Sequence, residues 1–267
     1  SDPSERFAGR CMTMHTLLTR WSLQQEGEEI AAKDHFHCVP SRMSIPRDSI
    51  VIGRYSVLPY YDELEQDLKT IDSRLINSFD QHRFMADIER WYPVVREFTP
   101  ETWFTRWDLL PDNTSFVVKG KTNSRKSQWN THMFARDKTQ LREVLERLYD
   151  DPLLSDQGLI VRRYVPLKQL GVGLNGLPFS NEWRFFFLGE TLVDCGFYWS
   201  LMGGSPKDLP EEAMSFARKL AKLVAVHTNF FVLDIAETSD GNWTLIEIND
   251  AQMSGLCDIP PDRFYQN

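Results

Sequence analysis

The stretch from Phe231 to Asn249 constrains this chain more than any other. It reads Phe231-Val232-Leu233-Asp234-Ile235-Ala236-Glu237, a short polar link, then Trp243-Thr244-Leu245-Ile246-Glu247-Ile248-Asn249. Two apolar runs flanking Asp240-Gly241 predict a hairpin, because that dipeptide accepts the positive φ angles of a two-residue turn. Such a turn sets Asp234 opposite Glu247 and Ile235 opposite Ile246. Side chains alternate along a strand, so Asn249 shares the face of Asp234 and Glu247, and Leu233, Ile235, Ile246 and Ile248 take the other. Like charges directly opposite destabilise a sheet, and a bound cation would relieve the repulsion. Hard oxygen donors suit magnesium shared with phosphates better than zinc. A hairpin with a wet outer face is the plainer alternative, and it accounts less well for the run Glu247-Ile248-Asn249-Asp250.

A second feature is Val117-Val118-Lys119-Gly120-Lys121 and the polar stretch Thr122 to Asn130. Between Asn113 and Arg136 stand five cationic side chains and no Asp or Glu. Lys119 and Lys121 share one strand face, and the loop after them is expected to fold over phosphates and offer backbone N–H groups. Trp129 is placed to close over a ligand; a solvated basic loop is the alternative. The third feature is Glu182-Trp183-Arg184-Phe185-Phe186-Phe187, which puts Glu182 and Arg184 on one face of a strand. An arginine there needs a partner, either Glu182 itself or an anion held by the guanidinium fork.

Composition narrows the classes. With 267 residues, 42% hydrophobic and 25% charged, the chain is long and apolar enough for a self-sufficient globular core. A net charge of −8 argues against general nucleic-acid binding, which needs surplus Lys and Arg. No apolar run approaches the ~20 residues of a membrane span. Cys11, Cys38, Cys195 and Cys257 are scattered, so free thiols in a reducing, cytoplasmic setting are expected. The sequons at Asn113 and Asn242 carry little weight against that, with no signal peptide before them. The six histidines form no ligand spacing, and structural or exposed roles are their default. No Walker phosphate loop, nucleophile elbow or Cys/His signature occurs.

Ser1 to Arg10 is polar and aperiodic, a tail outside the fold. Ile50 to Gly53 predicts a strand, Asp62 to Thr70 a helix, Arg74 to Asn77 a strand, and Gln81 to Tyr92 a helix stopped by Pro93. The order predicts a small alternating α/β domain without a dinucleotide fingerprint. Turn formers from Pro100 to Asn113 place a boundary near residue 110, dividing the chain into 1–110 and 111–267. The second part reads as strands at Phe116 to Lys121 and His132 to Arg136, a helix at Asp137 to Tyr149 and a strand at Gly158 to Val165. A hairpin from Glu182 to Trp199, a helix from Pro210 to His227 and the final hairpin follow.

Taken in order, Phe116 to Lys121, Leu159 to Val165, Glu182-Trp183-Arg184, and Asp234 with Glu247-Ile248-Asn249 resemble the ATP-grasp superfamily. The sequence is most similar to the clade named for one arginine and two lysines, over about residues 50 to 257. The resemblance implies an α/β (α+β) fold: two α+β subdomains clasping ATP, preceded by a small α/β pre-ATP-grasp domain. It implies Lys119 and Lys121 against phosphates, Ile160, Val161, Arg162, Arg163 and Tyr164 as the adenine hinge, and Arg184 at the γ-phosphate. Asp234, Glu247 and Asn249 would hold magnesium, and Arg184 with Lys119 would serve catalysis. Many such hinges carry a carboxylate where this chain has Arg162-Arg163-Tyr164. The implied reaction is ADP-forming ligation of a carboxylate to an amine through an acylphosphate, with a peptide or protein terminus as one acceptor class. A noncatalytic nucleotide-dependent assembly factor is the alternative on the same fold. A metal-dependent nuclease or phosphatase leaves the basic strand without a role.

Overall fold

The computed structural model describes residues 14–19, 26–54, 60–121, 129–151, 158–173, 178–200 and 208–267. The N-terminal part is a parallel α/β layer built from β1 (Met14–Thr19), α1 (Glu26–His35), β2 (His37–Val39), β3 (Ser49–Arg54), α2 (Tyr61–Lys69) and β4 (Arg74–Leu75). Its strand order is β2-β1-β3-β4. Tyr61, Leu64 and Leu68 form the helical stripe of α2 that packs on Val51 and Leu75. The layer thus begins before β3, with β1, α1 and β2, which the sequence pattern does not single out. Leu17 and Leu18 are adjacent and both buried, because a parallel strand is covered on two faces and shows no alternation.

Instead of one helix stopped by Pro93, two follow: α3 (Phe79–Ala86) and α4 (Ile88–Val95). The break falls at Asp87, whose carboxylate accepts from Glu89 N and caps α4, while Ser78 and Gln81 close a capping box on α3. Pro93 lies inside α4, which ends soon after it at Val95.

A second sheet has the order β5-β8-β6-β7, from β5 (Thr102–Trp103), β6 (Phe116–Gly120), β7 (Phe134–Ala135) and β8 (Leu159–Arg163). Helix α5 (Lys138–Tyr149), capped by Asp137, lays Leu141, Val144 and Leu148 over it. The strand expected from His132 to Arg136 shrinks to β7, because Trp129–Met133 wind into a π-helix that stacks Trp129 on Phe134. β5 pairs with β8, so residues before 110 contribute to this sheet. The loop residues 122–128, with Arg125 and Lys126, lie outside the described residues, as does Cys11.

The last part holds a small hairpin, β9 (Gln169–Val172) with β10 (Pro178–Ser180), then β11 (Glu182–Leu188), β12 (Thr191–Phe197), α6 (Glu211–Val224), β13 (Phe230–Glu237), β14 (Trp243–Asp250) and α7 (Pro261–Gln266). The antiparallel sheet β12-β11-β13-β14 buries Phe185, Phe187 and Leu233 under the stripe of α6 and under α3 and α4. Its other face is apolar at the rear, where Phe186, Phe230 and Val232 meet Leu17, Phe264 and Tyr265. The front of that face is polar.

The final hairpin corrects the expected turn. Ser239-Asp240-Gly241 is a three-residue loop, closed by Thr238 N to Asn242 O at 2.7 Å and by Gly241 at φ 85°. That shifts the pairing so that Ile235 faces Leu245, not Ile246. A bulge between there and Asp234 absorbs the extra residue and restores Asp234 opposite Glu247. Leu245 therefore takes the core place expected for Ile246, and Ile246 turns toward the cleft.

Arg54 ties the parts together from the end of β3. Its guanidinium donates to Glu28, to Tyr265 Oη at 3.2 Å, and to the carbonyls of Ala251, Gln252 and Ser254 at 2.9 to 3.0 Å. Burial works to lower its pKa, yet Tyr265 and Glu28 raise it. Arg54→Met is expected to cost about 3–5 kcal/mol, because it strands the buried Glu28 carboxylate. A urea midpoint unchanged from wild type would contradict that. Among the described residues no helix is long and apolar enough to cross a membrane.

Candidate active site

The front of the β11–β13–β14 face carries one charged row. Arg184, Asp234 and Glu247 are Cα partners across three strands, and Gly196 of β12 extends the row beyond Arg184. A Cβ at Gly196 would overlap Asp258, whose Oδ1 accepts from Phe197 N at 2.7 Å, so the 255–259 segment can lie close over this row. Gly255 O in turn accepts from Arg184 Nη1 at 3.0 Å.

Arg184 meets Asp234 as a fork, Nε to Oδ1 and Nη2 to Oδ2, both at 2.8 Å, with its guanidinium 5.0 Å over the Tyr198 ring. The partner is across the strand rather than Glu182 on the same strand. Burial works to lower the Arg184 pKa, but Asp234, Cys257 and Tyr198 carry it well above its ordinary value. The Cys257 thiol in the same nest is pushed up to about 11, by burial first and then, against Arg184, by Asp234. Asn249 Nδ2 stands 3.5 Å from Asp234 Oδ2, so three of the expected metal donors share this patch or its neighbour.

Lys119 of β6 projects toward it, and Lys121 follows just beyond the end of that strand. Lys119 Nζ bonds Glu247 Oε1 at 2.6 Å, across the gap between the two sheets, and Lys121 Nζ bonds Glu89 Oε2 at 2.6 Å. The repulsion expected between Asp234 and Glu247 is thus already offset, by Arg184 for one and Lys119 for the other. Local spacing shows each acid without its long-range cation.

Two cavities meet at the Lys119–Glu247 pair, which lines both. The first is a cleft between Trp129 and Met133 on one side and Ile246 and Trp199 on the other. Arg162, Arg163, Tyr164 and Val165 form one of its walls, whereas Ile160 and Val161 are fully buried in the core. Its apolar walls and few polar groups suit a planar aromatic ligand. Arg162 reaches across to neighbouring elements: Nη1 donates to Ile246 O at 2.8 Å and Nη2 to Thr99 Oγ1 at 2.6 Å. Burial pulls its pKa down to about 10, with Glu247 and Tyr92 acting the other way. Arg163 is engaged by Glu101 and Thr114. The second cavity is lined by Lys121, Asn249, Asp250, Trp91 and His82 among others. Arg184 and Asp234 line neither cavity.

The donor set fits magnesium chemically. Asp234, Glu247 and Asn249 supply oxygen, and each carboxylate oxygen held by a cation keeps a further lone pair. Among the described residues no cluster of three or more His, Cys, Asp or Glu occurs, so a metal here would share its coordination with phosphates and water. His82 enters the site without any signal in its local sequence. Its ring Nδ1 lies 3.1 Å from Asp250 Oδ2, a pair separated by 168 positions that no local spacing announces.

Comparison with known proteins fits this layout. A family model matches residues 109–267, and it describes the ATP-grasp domain of family 3 in the clade named for one arginine and two lysines. No curated protein matches the chain. Among solved structures, D-cycloserine synthetase DcsG is similar with a TM-score of 0.61 and 13% identity, over 94% of this chain and 97% of that one. A RimK domain ATP-grasp protein from Sphaerobacter thermophilus DSM 20745 gives 0.58 and 12%, over 94% and 98%. D-alanyl-alanine synthetase A from Vibrio cholerae O1 biovar eltor gives 0.57 and 10%, over 95% and 93%. At these identities the likeness shows the fold.

Proposed function

Since this chain belongs to the ATP-grasp domains of the one-arginine, two-lysine clade, we propose that it is an ATP- and magnesium-dependent ligase that joins a carboxylate to an amine and forms ADP. The observation that carries this reading is the Lys119–Glu247 pair lining both a mainly apolar cleft and a second, more polar one. Adenine fits the first cavity against Tyr164, Ile246 and Trp199. The triphosphate then runs past Lys119 and Lys121, and the acceptor occupies the second cavity.

Lys119, Lys121 and Arg184 are each held by an acid in the structure, so their charges are positioned before any ligand arrives. Binding is then an exchange of partners. The cations turn to phosphate oxygens, and Asp234, Glu247 and Asn249 would hold magnesium, which would supply further neutralisation of phosphate charge. Charge placed in this way acts where negative charge develops in phosphoryl transfer. Arg184 faces the transferred phosphoryl group and Lys119 the phosphates nearer the adenine. The substrate carboxylate attacks the γ-phosphorus and gives an acylphosphate, from which an amine displaces phosphate. Arg162 serves this scheme indirectly by holding the Ile246 carbonyl, and with it the bulge that aims Glu247.

Purified protein given ATP, magnesium and pools of amino acids or dipeptides is expected to release ADP only when an acceptor is present. ATP binding without ADP release from any pool would reject the ligase reading. Lys119→Ala is expected to weaken ATP binding at least about tenfold, the loss of one charge-assisted contact of roughly 1.5–3 kcal/mol, while the protein stays folded. Calorimetric titration with ATP checks it, and unchanged affinity contradicts it.

A further inference from the structure

The residues assigned so far serve ATP or its metal, and the incoming amine also needs a group to take its proton. We propose that His82 is that catalytic base, a role that rests on the ligase reading above. Helix α3 presents His82 to the second cavity, beside Lys121 and Asn249. Its ring is stacked on Tyr61 at 4.5 Å between centroids and 13° between planes. Tyr61 is itself fixed, donating to Asn77 O at 2.7 Å and accepting from Gln252 Nε2 at 2.9 Å.

The tautomer follows from the network around Asp250. Asn77 Nδ2 and Gln252 N each donate to Asp250 Oδ1 at 3.0 Å, and Gln252 Nε2 lies 3.3 Å from both oxygens. These neighbours are donors, so Asp250 acts as an acceptor at each contact. His82 Nδ1, 3.1 Å from Oδ2, must then carry a hydrogen. In the neutral ring the lone pair is left on Nε2. An acid orienting one ring nitrogen while the other works on substrate is the arrangement of a general base. Lys119 and Lys121 are cations and cannot accept the proton, and Glu247 is engaged by Lys119.

The step balances as follows. The bound ammonium gives one proton to His82 Nε2, which frees the nitrogen lone pair. The nitrogen attacks the acyl carbon of the acylphosphate; the C–N bond forms and the C–O bond to phosphorus breaks. The second nitrogen proton leaves with inorganic phosphate, and the imidazolium returns its proton to water. No group is oxidised or reduced.

The test compares His82→Gln with wild type, using Mg-ATP and an equimolar mixture of the common amino acids, with and without hydroxylamine. Hydroxylamine is largely unprotonated at neutral pH and traps acylphosphates as hydroxamates without a base. Amide formation is expected to fall at least about a hundredfold in the variant, the lower range for a general base, while hydroxamate formation stays within about twofold. Amide formation retained in the variant overturns the role of His82, as does a wild type that yields hydroxamate but no amide. A wild type that releases no ADP in either arm rejects the ligase reading instead, and the base with it. A second measurement is independent of turnover: ring ¹⁵N shifts of His82 in the neutral form should show the Nδ1–H tautomer. A proton on Nε2 overturns the assignment and leaves the ligase reading standing.

Discussion

Arg184→Lys is expected to lower ATP-dependent ADP release at least about a hundredfold while the protein remains folded. Lysine keeps the charge beside Asp234, so the buried acid is not stranded. It loses the fork, which in the structure spans both Asp234 oxygens and the Gly255 carbonyl at once. A single ammonium cannot hold Asp234 and also present a planar, bidentate face to a phosphoryl group. A purely structural Arg184 makes a different prediction, since turnover would then fall only as far as the folded fraction falls. Urea unfolding and ADP release measured on the same preparation separate the two. Near-normal turnover in Arg184→Lys would remove Arg184 from the chemistry. Arg184→Met is the harsher variant and tests the fold more than the reaction, because it leaves Asp234 buried without its cation.

Much of this site is legible in the sequence because it is written in local patterns. The β13–β14 hairpin follows from its apolar runs and its Asp-Gly, and alternation alone puts Asp234, Glu247 and Asn249 on one face. The Asp234–Glu247 pairing comes out right through two offsetting departures: the turn takes one more residue than a two-residue loop, and the bulge near Leu245 restores the count. Alternation cannot foresee a bulge, and so it places Ile246 in the core and Leu245 outside it, the reverse of the structure. Partners distant in sequence are not legible at all. Nothing near Glu247 announces Lys119, nothing near Asp250 announces His82, and nothing near Arg54 announces the carbonyls of 251, 252 and 254. These contacts depend on how the sheets are set against one another, which hydrophobic period does not encode. The same limit applies to β8. Ile160 and Val161 carry the strand and are buried, while Arg162 crosses to β14 and joins the two sheets.

The last prediction turns on the charged row, where the structure reverses an expectation. Read as two unneutralised carboxylates, Asp234 and Glu247 repel, and Asp234→Asn should leave the fold intact or firmer. In the structure Asp234 is the acid of a buried fork with Arg184, side chains only 1% and 12% exposed. Asp234→Asn is therefore expected to destabilise by about 3–5 kcal/mol, the usual cost of removing one partner from a buried pair. Glu247→Gln should cost less, about 1–3 kcal/mol, because Glu247 is 22% exposed although its Lys119 partner is only 9% exposed. Both substitutions are expected to abolish magnesium-dependent ADP release, since each removes a charged oxygen donor from the same small set. The loss of stability should thus be smaller in Glu247→Gln than in Asp234→Asn, while the loss of metal dependence is the same in both. Urea midpoints, Mn²⁺ binding followed by paramagnetic resonance, and ADP release give three readouts on each variant. Full turnover in either one excludes that residue from the metal site. An Asp234→Asn protein as stable as wild type would show that the Arg184 fork contributes far less to the fold than its burial implies.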